Sequence, residues 1–224
     1  MDGKFTFGNL ESRLYELGIR VTGHKKYYES FFFQSSLDLD NGCSVLDAGC
    51  GGGLLAMALL NEYNGRRGID ITVHAFDISP DMLYLAREHA TRRGFRDRLK
   101  LYEANGENLS DIKVFGDEGK IALEDESFDL VMSSGMLEYI NNPKKAIEEM
   151  ARVLRPGGQL IFSFVRNNLL GLGASRLWKF SILSDEWLRH EFYQQGIRDF
   201  KEFPVISKNY YMKALKSICI GRKS

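Results

Sequence analysis

The feature that most constrains the fold is a short apolar segment that runs directly into a glycine cluster and then into a helical pattern. Residues 44–47 read SVLD, residues 48–53 read AGCGGG, and residues 54–63 read LLAMALLNEY. The first segment predicts a buried strand and the last a buried helix. Glycines permit a tight turn between them and let a ligand approach the backbone, toward which the first N–H groups of the helix point. The pattern predicts a strand–loop–helix unit of a ligand-binding α/β fold.

Further apolar segments recur along the chain at the spacing expected of β-α-β units. The first five are rich in Val, Ile, Leu and Phe without strict alternation, which is typical of strands covered by helices on both faces. The last two are predicted to pair antiparallel. The predicted strands are residues 44–47, 72–77, 99–103, 128–133, 159–165, 200–206 and 217–222. Together they predict a mostly parallel sheet between two helical layers.

Helix starts fall between these strands. Ser79 and Asn142 each precede a proline, and Ser184 precedes two acidic residues. A capping oxygen followed by proline or by acidic residues is typical of a helix N-terminus. The sequence therefore predicts helices beginning at these three positions.

Three segments fall outside this core. Residues 1–42 include an aromatic stretch at 27–33 and are interpreted as a helical, aromatic cap. Residues 112–127 are polar and predict a loop. Residues 166–183, RNNLLGLGASRLWKFSIL, are interpreted as a substrate-lid insertion within a single domain that spans residues 43–224.

Composition narrows the class of protein. The 30 Lys and Arg residues balance the 30 Asp and Glu residues, which disfavours a nucleic-acid partner because such proteins carry excess positive charge. The three cysteines are widely spaced and show no metal-ligand spacing, so we expect neither a metal site nor a disulfide framework. No apolar run is long enough for a membrane span, and no apolar leader opens the chain. We therefore expect a cytoplasmic protein, as a monomer or a homodimer.

The glycine loop discriminates between two classes of nucleotide. A dinucleotide site has the pattern G-x-G-x-x-G, and starting from Gly49 the third glycine position is occupied by Leu54. The alternative pattern, an acid two residues before G-x-G-x-G, fits Asp47 and the glycines at 49, 51 and 53. Asp77, at the end of the second strand, can accept hydrogen bonds from ribose hydroxyls. Loop and acid together favour an adenosine ligand that is not NAD.

Five segments, VLDAGCGGG, HAFDIS, ANGENL, FDLVMSSGMLEYI and VLRPGGQLIFSF, closely resemble class I S-adenosylmethionine-dependent methyltransferases of the ubiquinone and menaquinone biosynthesis type. The resemblance covers residues 43–165 and, more loosely, the rest of the chain. It implies a Rossmann-like three-layer sandwich with a seven-stranded sheet that ends in an antiparallel hairpin. It also implies S-adenosyl-L-methionine as the cofactor.

Carried over by position, the resemblance implies a role for each motif residue. Near the methionine part of the cofactor it places Asp47, Gly49, Cys50, Gly51, Gly53, Ser133 and Ser134. Around the ribose and adenine it places Asp77, Ile78, Met82, Asn105 and Gly106. Asn105 stands where the family usually has an aspartate, so its contact with the adenine amino group carries no charge.

Plainer interpretations stand beside three of these roles. The alternative role for Asp77 is to cap a helix, although Ser79 already supplies that cap. The alternative role for Cys50, which lies near a helix N-terminus, is that of a nucleophile, but a small residue that fills the loop is the simpler interpretation, because methyl transfer needs no covalent enzyme intermediate. The alternative interpretation of Asn105 is an ordinary turn residue. Met136 and Leu137 are interpreted as wall residues.

The acceptor side is less specific, because the cofactor already activates the methyl group and the protein mainly positions the reactants. His24, Glu138 and Tyr139 are the catalytic candidates for a general base, and His190 is a weaker one. Aromatic residues of 27–33 and apolar residues of 166–183, including Trp178 and Phe180, are predicted to roof an apolar pocket. This predicts a small-molecule acceptor that is apolar or aromatic. The alternative interpretation is that the same residues only pack a lid onto the core.

Four alternatives remain at this stage. A nucleic-acid base methyltransferase is disfavoured by the sequence Ser133–Met136, which lacks the paired prolines of adenine enzymes, and by the lack of a Pro-Cys nucleophile. A protein methyltransferase would leave no motif here. A cofactor-binding module without turnover is compatible with the same loop, since fold does not fix function. A NAD-dependent oxidoreductase is opposed by Leu54.

Overall fold

A computed structural model describes residues 17–19 and 21–224 of the 224-residue chain. Within this part of the chain a single sheet contains nine strands in the order β5-β4-β3-β2-β1-β6-β7-β9-β8. The strands are β1 (Ser44–Ala48), β2 (Thr72–Asp77), β3 (Leu99–Glu103), β4 (Ile112–Val114), β5 (Lys120–Ile121), β6 (Phe128–Ser134), β7 (Leu154–Val165), β8 (Ile197–Glu202) and β9 (Lys216–Lys223). Strands β3, β2, β1, β6 and β7 run parallel, and β4, β5, β8 and β9 join them through antiparallel pairs.

Helices cover both faces of the sheet. They are α1 (His24–Gln34), α2 (Leu54–Leu60), α3 (Pro80–Arg92), α4 (Pro143–Val153), α5 (Leu169–Trp178), α6 (Asp185–Gln194) and α7 (Tyr210–Leu215). A π-helical turn, Asn61–Arg67, continues α2, and a 3-10 turn, Arg96–Arg98, precedes β3. Three predicted N-caps are confirmed, since the side chains of Ser79, Asn142 and Ser184 each accept a hydrogen bond from a backbone N–H of the first turn.

Two apolar clusters sandwich the sheet. One packs α1, α2 and α3 against one face and includes Phe31, Phe32 and Leu83, all inaccessible to solvent. The other packs α4 and α6 against the opposite face and includes Ile147 and Phe192. The predicted α/β class, Rossmann-like and three-layered with a mostly parallel sheet, is confirmed.

The sheet differs from the expected seven strands at one edge. Residues 112–127 were predicted to be a loop, but Ile112–Val114 and Lys120–Ile121 form a short antiparallel hairpin beside β3. Turn residues dominate this segment, and the apolar residues are few because an edge hairpin buries little. Ile112 is buried, whereas both residues of β5 are exposed. The other seven strands match the expected number, including the antiparallel pair at the C-terminal edge.

The first strand of the C-terminal antiparallel pair lies earlier in the chain than predicted. The sequence places it at 200–206, but β8 spans Ile197–Glu202. The charged residues Arg198 and Asp199 give the start of this strand little apolar signal, and a register irregularity between Arg198 and Lys201 interrupts its pairing with β9. Helix α7 connects the two strands.

Two helices fall in the segments that the sequence predicts to lie outside the core. Helix α1 falls in the predicted cap, whose residues 1–16 and 20 lie outside the described part, and α5 falls in the predicted lid at 166–183. No helix in the described residues has both the length and the apolar character that crossing a membrane requires. The assignment of a cap at 1–42 and a lid at 166–183 stays a prediction.

Candidate active site

The glycine loop between β1 and α2 depends on three alternate glycines. Gly49, Gly51 and Gly53 have φ angles of 69°, 51° and 76°, a region that side chains with a Cβ rarely adopt. At Gly49 a Cβ atom would also lie 2.4 Å from Cβ of Met136. The loop therefore excludes a side chain at Gly49 on two grounds, and it leaves the backbone open toward the cleft in front of it.

Asp47, the last but one residue of β1, connects the strand before the glycine loop to the helix after it. It is 1 % exposed, and its Oδ2 accepts a hydrogen bond from the Ala56 N–H of helix α2 at 3.0 Å. Burial raises the pKa of Asp47 to about 7, an effect that the Ala56 hydrogen bond opposes and the nearby Asp77 reinforces. A positive charge placed near this carboxylate would lower its pKa again.

Asp77 joins the loop to the start of helix α3. Its Oδ2 accepts from the Gly51 N–H at 2.8 Å and its Oδ1 from the Ser79 N–H at 2.9 Å. Burial raises the pKa of this carboxyl group, against the three backbone hydrogen bonds that lower it. Since Ser79 itself caps helix α3, the carboxylate is not needed as the cap and stands at the edge of the cleft.

A first cleft, of about 960 Å³, opens above the ends of β1, β2, β3 and β6. Eight of the predicted cofactor residues line it: Gly49, Gly51, Asp77, Ile78, Met82, Asn105, Gly106 and Ser134. Apolar side chains form one end and the glycine loop with Asp77 forms the other. An elongated ligand with a flat apolar end and a polar, hydroxyl-bearing middle fits this distribution.

Asn105 uses its side chain to form a turn at the wall of the first cleft. Its Oδ1 accepts a hydrogen bond from the Glu107 N–H at 3.1 Å, which closes an Asx turn, and the residue is exposed. The plain-turn interpretation of this residue is therefore realised in the structure. A role toward adenine stays a prediction, and Gly106 beside it brings the backbone of the same turn to the cleft wall.

Three other predicted cofactor residues, Cys50, Gly53 and Ser133, do not line the first cleft. Ser133 is 2 % exposed and donates to the Ala48 carbonyl at 2.9 Å, which ties β6 to β1. Gly53 packs against helix α3, where an added Cβ would lie 3.1 Å from that of Ala86. Burial raises the pKa of the Cys50 thiol well above its ordinary value, so the thiol is a poor nucleophile and its side chain fills space.

A second cleft, of about 1020 Å³, lies beside the first on the side of helices α1 and α5. We call it the acceptor chamber, after the acceptor pocket that the sequence predicts beneath residues such as Trp178 and Phe180. The two clefts share five wall residues: Gly49, Gly51, Ser134, Gly135 and Tyr139. Asp47 and Cys50 line the acceptor chamber, so the glycine loop forms the boundary between the two.

The three catalytic candidates lie together in the wall of the acceptor chamber. Glu138 is 5 % exposed, and its Oε1 accepts from the Val165 N–H at 3.1 Å. Burial raises the pKa of Glu138, which the positive charge of Lys216 opposes. Burial also raises the pKa of Tyr139, so its hydroxyl stays protonated.

His24 has a different electrostatic character from that expected of a base. Burial, reinforced by Lys216, lowers the pKa of His24 to about 3. Its Nδ1 lies 2.7 Å from the Thr22 hydroxyl. The ring is therefore neutral near pH 7 and weakly basic, whereas Glu138 has the raised pKa that a general base needs.

A polar network that sequence reasoning missed crosses the acceptor chamber. Nζ of Lys216 donates to Oγ of Ser134 at 3.2 Å, and that oxygen lies 2.5 Å from the Tyr28 hydroxyl. The Tyr28 hydroxyl also lies 3.2 Å from Oγ of Ser163. Lys216 is only 7 % exposed. Its one sequence signal is a lysine at the start of an apolar strand, KSICI, which by itself does not separate a buried from a solvated side chain.

The predicted aromatic roof is present in part. Trp178 and Phe180 line the acceptor chamber, together with Tyr28. Phe31 and Phe32, however, are buried in the core beneath α1, because the helical spacing turns them toward α2. Phe33 is 58 % exposed, and Leu169, Leu170, Leu172 and Leu177 are exposed rather than part of the wall. His190 is exposed on α6, outside both clefts.

The chain matches the model of a family described as methyltransferase domain over residues 46–162. It is 33 % identical over 162 residues to the ubiquinone biosynthesis O-methyltransferase of Alkalilimnicola ehrlichii, a match that covers 72 % of this chain and 55 % of that protein. The chain thus spans about half the length of the curated relatives it matches.

Solved structures give a likeness of fold. A chain of the complex between the Haloferax volcanii Trm112 methyltransferase activator and the putative methyltransferase aligns with a TM-score of 0.70 at 16 % identity, covering 96 % of both chains. The [4+2]-cyclase SpnF aligns with a TM-score of 0.61 at 19 % identity, covering 100 % of this chain and 85 % of that one.

Proposed function

The chain belongs to the methyltransferase-domain family, and we propose that it moves the methyl group of S-adenosylmethionine to a small, apolar or aromatic acceptor. The observation that carries the proposal is the meeting of the two clefts at Gly49, Gly51, Ser134, Gly135 and Tyr139. A donor bound in the first cleft and an acceptor bound in the acceptor chamber would meet at this boundary.

The residues of the first cleft fit this cofactor. At Gly51 nothing lies within 4 Å of where a Cβ would be, so a ligand can approach the backbone there, and Asp77 beside it offers carboxylate oxygens that can accept from ribose hydroxyls. Ile78 and Met82 supply apolar surface for an adenine ring. Asp47 supplies a negative charge below the loop, which favours the ammonium group of the methionine part.

When bound, the cofactor supplies an activated methyl group, whose bond to sulfur breaks with the electron pair remaining on sulfur. The residues of this chain then have to hold the acceptor in line at roughly 3–3.5 Å and exclude water. Trp178 and Phe180 provide an apolar wall for that purpose. Glu138 is placed to receive a proton where the acceptor must lose one.

The acceptor atom proposed here is a hydroxyl oxygen. Two observations support a hydroxyl acceptor. The relative from Alkalilimnicola ehrlichii is an O-methyltransferase, and the acceptor chamber holds the buried carboxyl group of Glu138, which can take the hydroxyl proton. A thiol or amine nucleophile needs such a base less, because thiols ionise and free amines are nucleophilic nearer to neutral pH.

The test is a turnover assay with radiolabelled S-adenosylmethionine and a panel of phenols, catechols, amines, thiols and carboxylic acids. We expect label in a phenol or catechol product and release of S-adenosylhomocysteine. Label confined to amines or thiols would contradict the hydroxyl assignment. Failure of S-adenosylhomocysteine to bind in calorimetry would contradict the proposal as a whole.

A second candidate is a cofactor-binding protein of this fold that does not transfer methyl groups. The likeness in fold to the [4+2]-cyclase SpnF favours it, because one fold serves different chemistries. It predicts that S-adenosylhomocysteine binds while no acceptor of the panel takes label.

A further inference from the structure

Among the described residues that line the acceptor chamber, Lys216 is the only lysine, and no sequence motif points to it. It begins β9 and lies opposite Val165, the last residue of β7. Its Nζ donates to Ser134 and lies 3.8 Å from where a Cβ on Gly135 would be. Ser134 and Gly135 belong to both clefts, so the ammonium group stands at the boundary where donor and acceptor would meet.

A lysine with 7 % exposure is costly, because an ammonium group loses hydration on burial. Such groups are retained where a negative charge compensates them. Among the described residues of the chamber, two buried carboxyl groups, Glu138 and Asp47, can oppose this charge. Burial raises the pKa of Glu138, and the positive charge of Lys216 opposes that rise.

The number of buried charges in the chamber does not change when a hydroxyl acceptor binds and ionises there. The O–H bond breaks, its electron pair stays on the acceptor oxygen, and the proton moves to a carboxylate oxygen of Glu138. Glu138 becomes neutral and the new oxyanion becomes the partner of Lys216. The number of buried charges stays the same, so the chamber pays no additional desolvation cost for the ionised nucleophile.

On the basis of the proposed function, we infer that Lys216 is the anchor of the acceptor oxyanion, with the Tyr28 hydroxyl as a second donor and Glu138 as the proton acceptor. An ionisable hydroxyl on a flat or apolar body, such as a phenol or an enol, is the class of acceptor that this arrangement selects. The Tyr28 hydroxyl, 2.5 Å from Ser134, lies in the same network and completes a two-donor site.

The location of Lys216 favours the acceptor over the cofactor as its ligand. Lys216 and Tyr28 line the acceptor chamber and not the first cleft. A sulfonium ion and an ammonium ion repel each other across a short distance, and an oxyanion between them is attracted by both. The same two attractions hold the nucleophile in line with the methyl group.

The test uses a spectroscopic probe rather than turnover. para-Nitrophenol and para-nitrocatechol absorb differently as phenol and phenolate, so their ionisation can be read while they are bound to the protein saturated with S-adenosylhomocysteine. A positive charge at hydrogen-bond distance lowers a pKa by roughly 1 to 3. We expect the wild-type complex to bind the phenolate form. The ionisation midpoint of the bound probe should fall to a lower pH, by at least tenfold in proton concentration.

The variant is Lys216→Gln, which keeps a donor toward Ser134 and removes the charge. Lys213→Met, on the exposed side of α7, removes a charge of the same sign outside the chamber and is the matched control. We expect Lys216→Gln to abolish the midpoint shift and Lys213→Met to keep it. If Lys216→Gln does not fold, Tyr28→Phe, which removes the second donor, should reduce the shift at least threefold.

Other titratable groups face Lys216 in the chamber and ionise in both variants. Both variants are therefore measured over the same pH range, so that these groups contribute equally to the comparison. These groups are His24, Tyr28, Asp47, Cys50, Glu138, Tyr139 and Tyr211. Among them Glu138 is the group whose replacement by glutamine should leave phenolate binding intact while slowing proton removal from a phenol that is neutral in solution.

Three results would overturn the inference. One is an unchanged ionisation midpoint in folded Lys216→Gln. Another is a loss of S-adenosylhomocysteine affinity of more than tenfold in that variant, which would assign Lys216 to the cofactor carboxylate. The third is the lack of saturable binding of both probes to the wild-type complex. Binding of S-adenosylhomocysteine by the wild type is measured first, so that failure of the proposed function is recognised separately.

Discussion

The first cleft and the acceptor chamber differ in how the chain builds them. The first cleft is made by residues that directly follow β1, β2, β3 and β6, and its loop is continuous from Asp47 to Gly53. The acceptor chamber takes its walls from α1, the loop after β6, α5 and the start of β9. The first therefore depends on backbone conformation, whereas the second depends on side chains that meet only after folding.

The two clefts should therefore differ in which amino-acid substitutions they tolerate. Backbone sites fail when one glycine gains a side chain, since neither φ nor the close contact can relax independently. Side-chain sites change selectivity while the fold survives. Substitutions in the glycine loop and at the acids beside it should therefore act on cofactor binding and stability, and those of the chamber side chains on α5 and β9 should act on the acceptor.

Gly49→Ala should give the largest effect. Its φ of 69° and the 2.4 Å approach to Met136 combine strain with overpacking, for which we expect a loss of about 2–4 kcal/mol in the free energy of unfolding. Gly68→Ala, at a φ of 70° with nothing within 4 Å, is the matched control and should lose only about 1–2 kcal/mol. Urea denaturation of both variants measures the difference. Equal losses would mean that Met136 moves aside and that the loop is less constrained than its geometry implies.

Asp77→Ala should weaken S-adenosylmethionine binding by about 1.5–3 kcal/mol, the usual cost of losing charge-assisted hydrogen bonds. The carboxylate also holds the Gly51 N–H, so the loop loses a contact as well. Asp81→Ala, in the first turn of the same helix but outside the first cleft, is the control. Titration calorimetry that finds the two variants alike would show that Asp77 does not hold the cofactor.

Asp47→Asn should separate cofactor affinity from stability. The raised pKa of Asp47, about 7, means that the folded protein favours the protonated form, so this group's contribution to stability is present at low pH and is lost as pH rises through 7. Asparagine can still accept from Ala56 and has no such loss. We expect the variant to match or exceed the wild-type melting temperature above pH 7.

Cofactor affinity should respond to pH in the opposite direction. The ammonium group of the cofactor favours ionised Asp47, so wild-type affinity should fall by up to about tenfold per pH unit below 7. Asp47→Asn should bind more weakly and show a flatter profile. A wild-type profile that stays flat between pH 5 and 8 would argue against contact between Asp47 and the ammonium group.

Trp178→Ala and Phe180→Ala should give the smallest effect, because each removes part of one chamber wall. We expect the KM for a phenolic acceptor to rise several-fold and the affinity for S-adenosylhomocysteine to stay within about twofold. Leu177→Ala, on the same helix but 72 % exposed, controls for an effect of the helix itself. An unchanged acceptor KM in folded variants would assign these aromatic residues to packing only.

Much of the fold and the loop of the first cleft followed from local patterns. The strand β2 and the caps at Ser79, Asn142 and Ser184 were predicted at their observed places, because apolar runs and capping oxygens act over a few residues. The edge hairpin at residues 112–121 was missed, since an exposed edge strand carries little apolar signal.

The acceptor chamber was predicted only in outline. Trp178 and Phe180 line it as expected, but Phe31 and Phe32 belong to the core, and an aromatic run on one helix does not reveal which of its faces meets a cavity. The low pKa of His24 and the buried position of Lys216 could not be predicted from the sequence. Both depend on burial by segments that lie more than a hundred residues apart in the chain.

The sequence alone determined the glycine turn, the acids at Asp47 and Asp77, and the class of fold, because each of these is a property of a few consecutive residues and the conformations open to them. Only the tertiary structure decided that Tyr28, Ser134, Glu138 and Lys216 share one chamber. Tyr28 and Lys216 lie far in the chain from Ser134 and Glu138, so no local pattern relates them, and burial sets the charges of these groups only once the fold has excluded water around them.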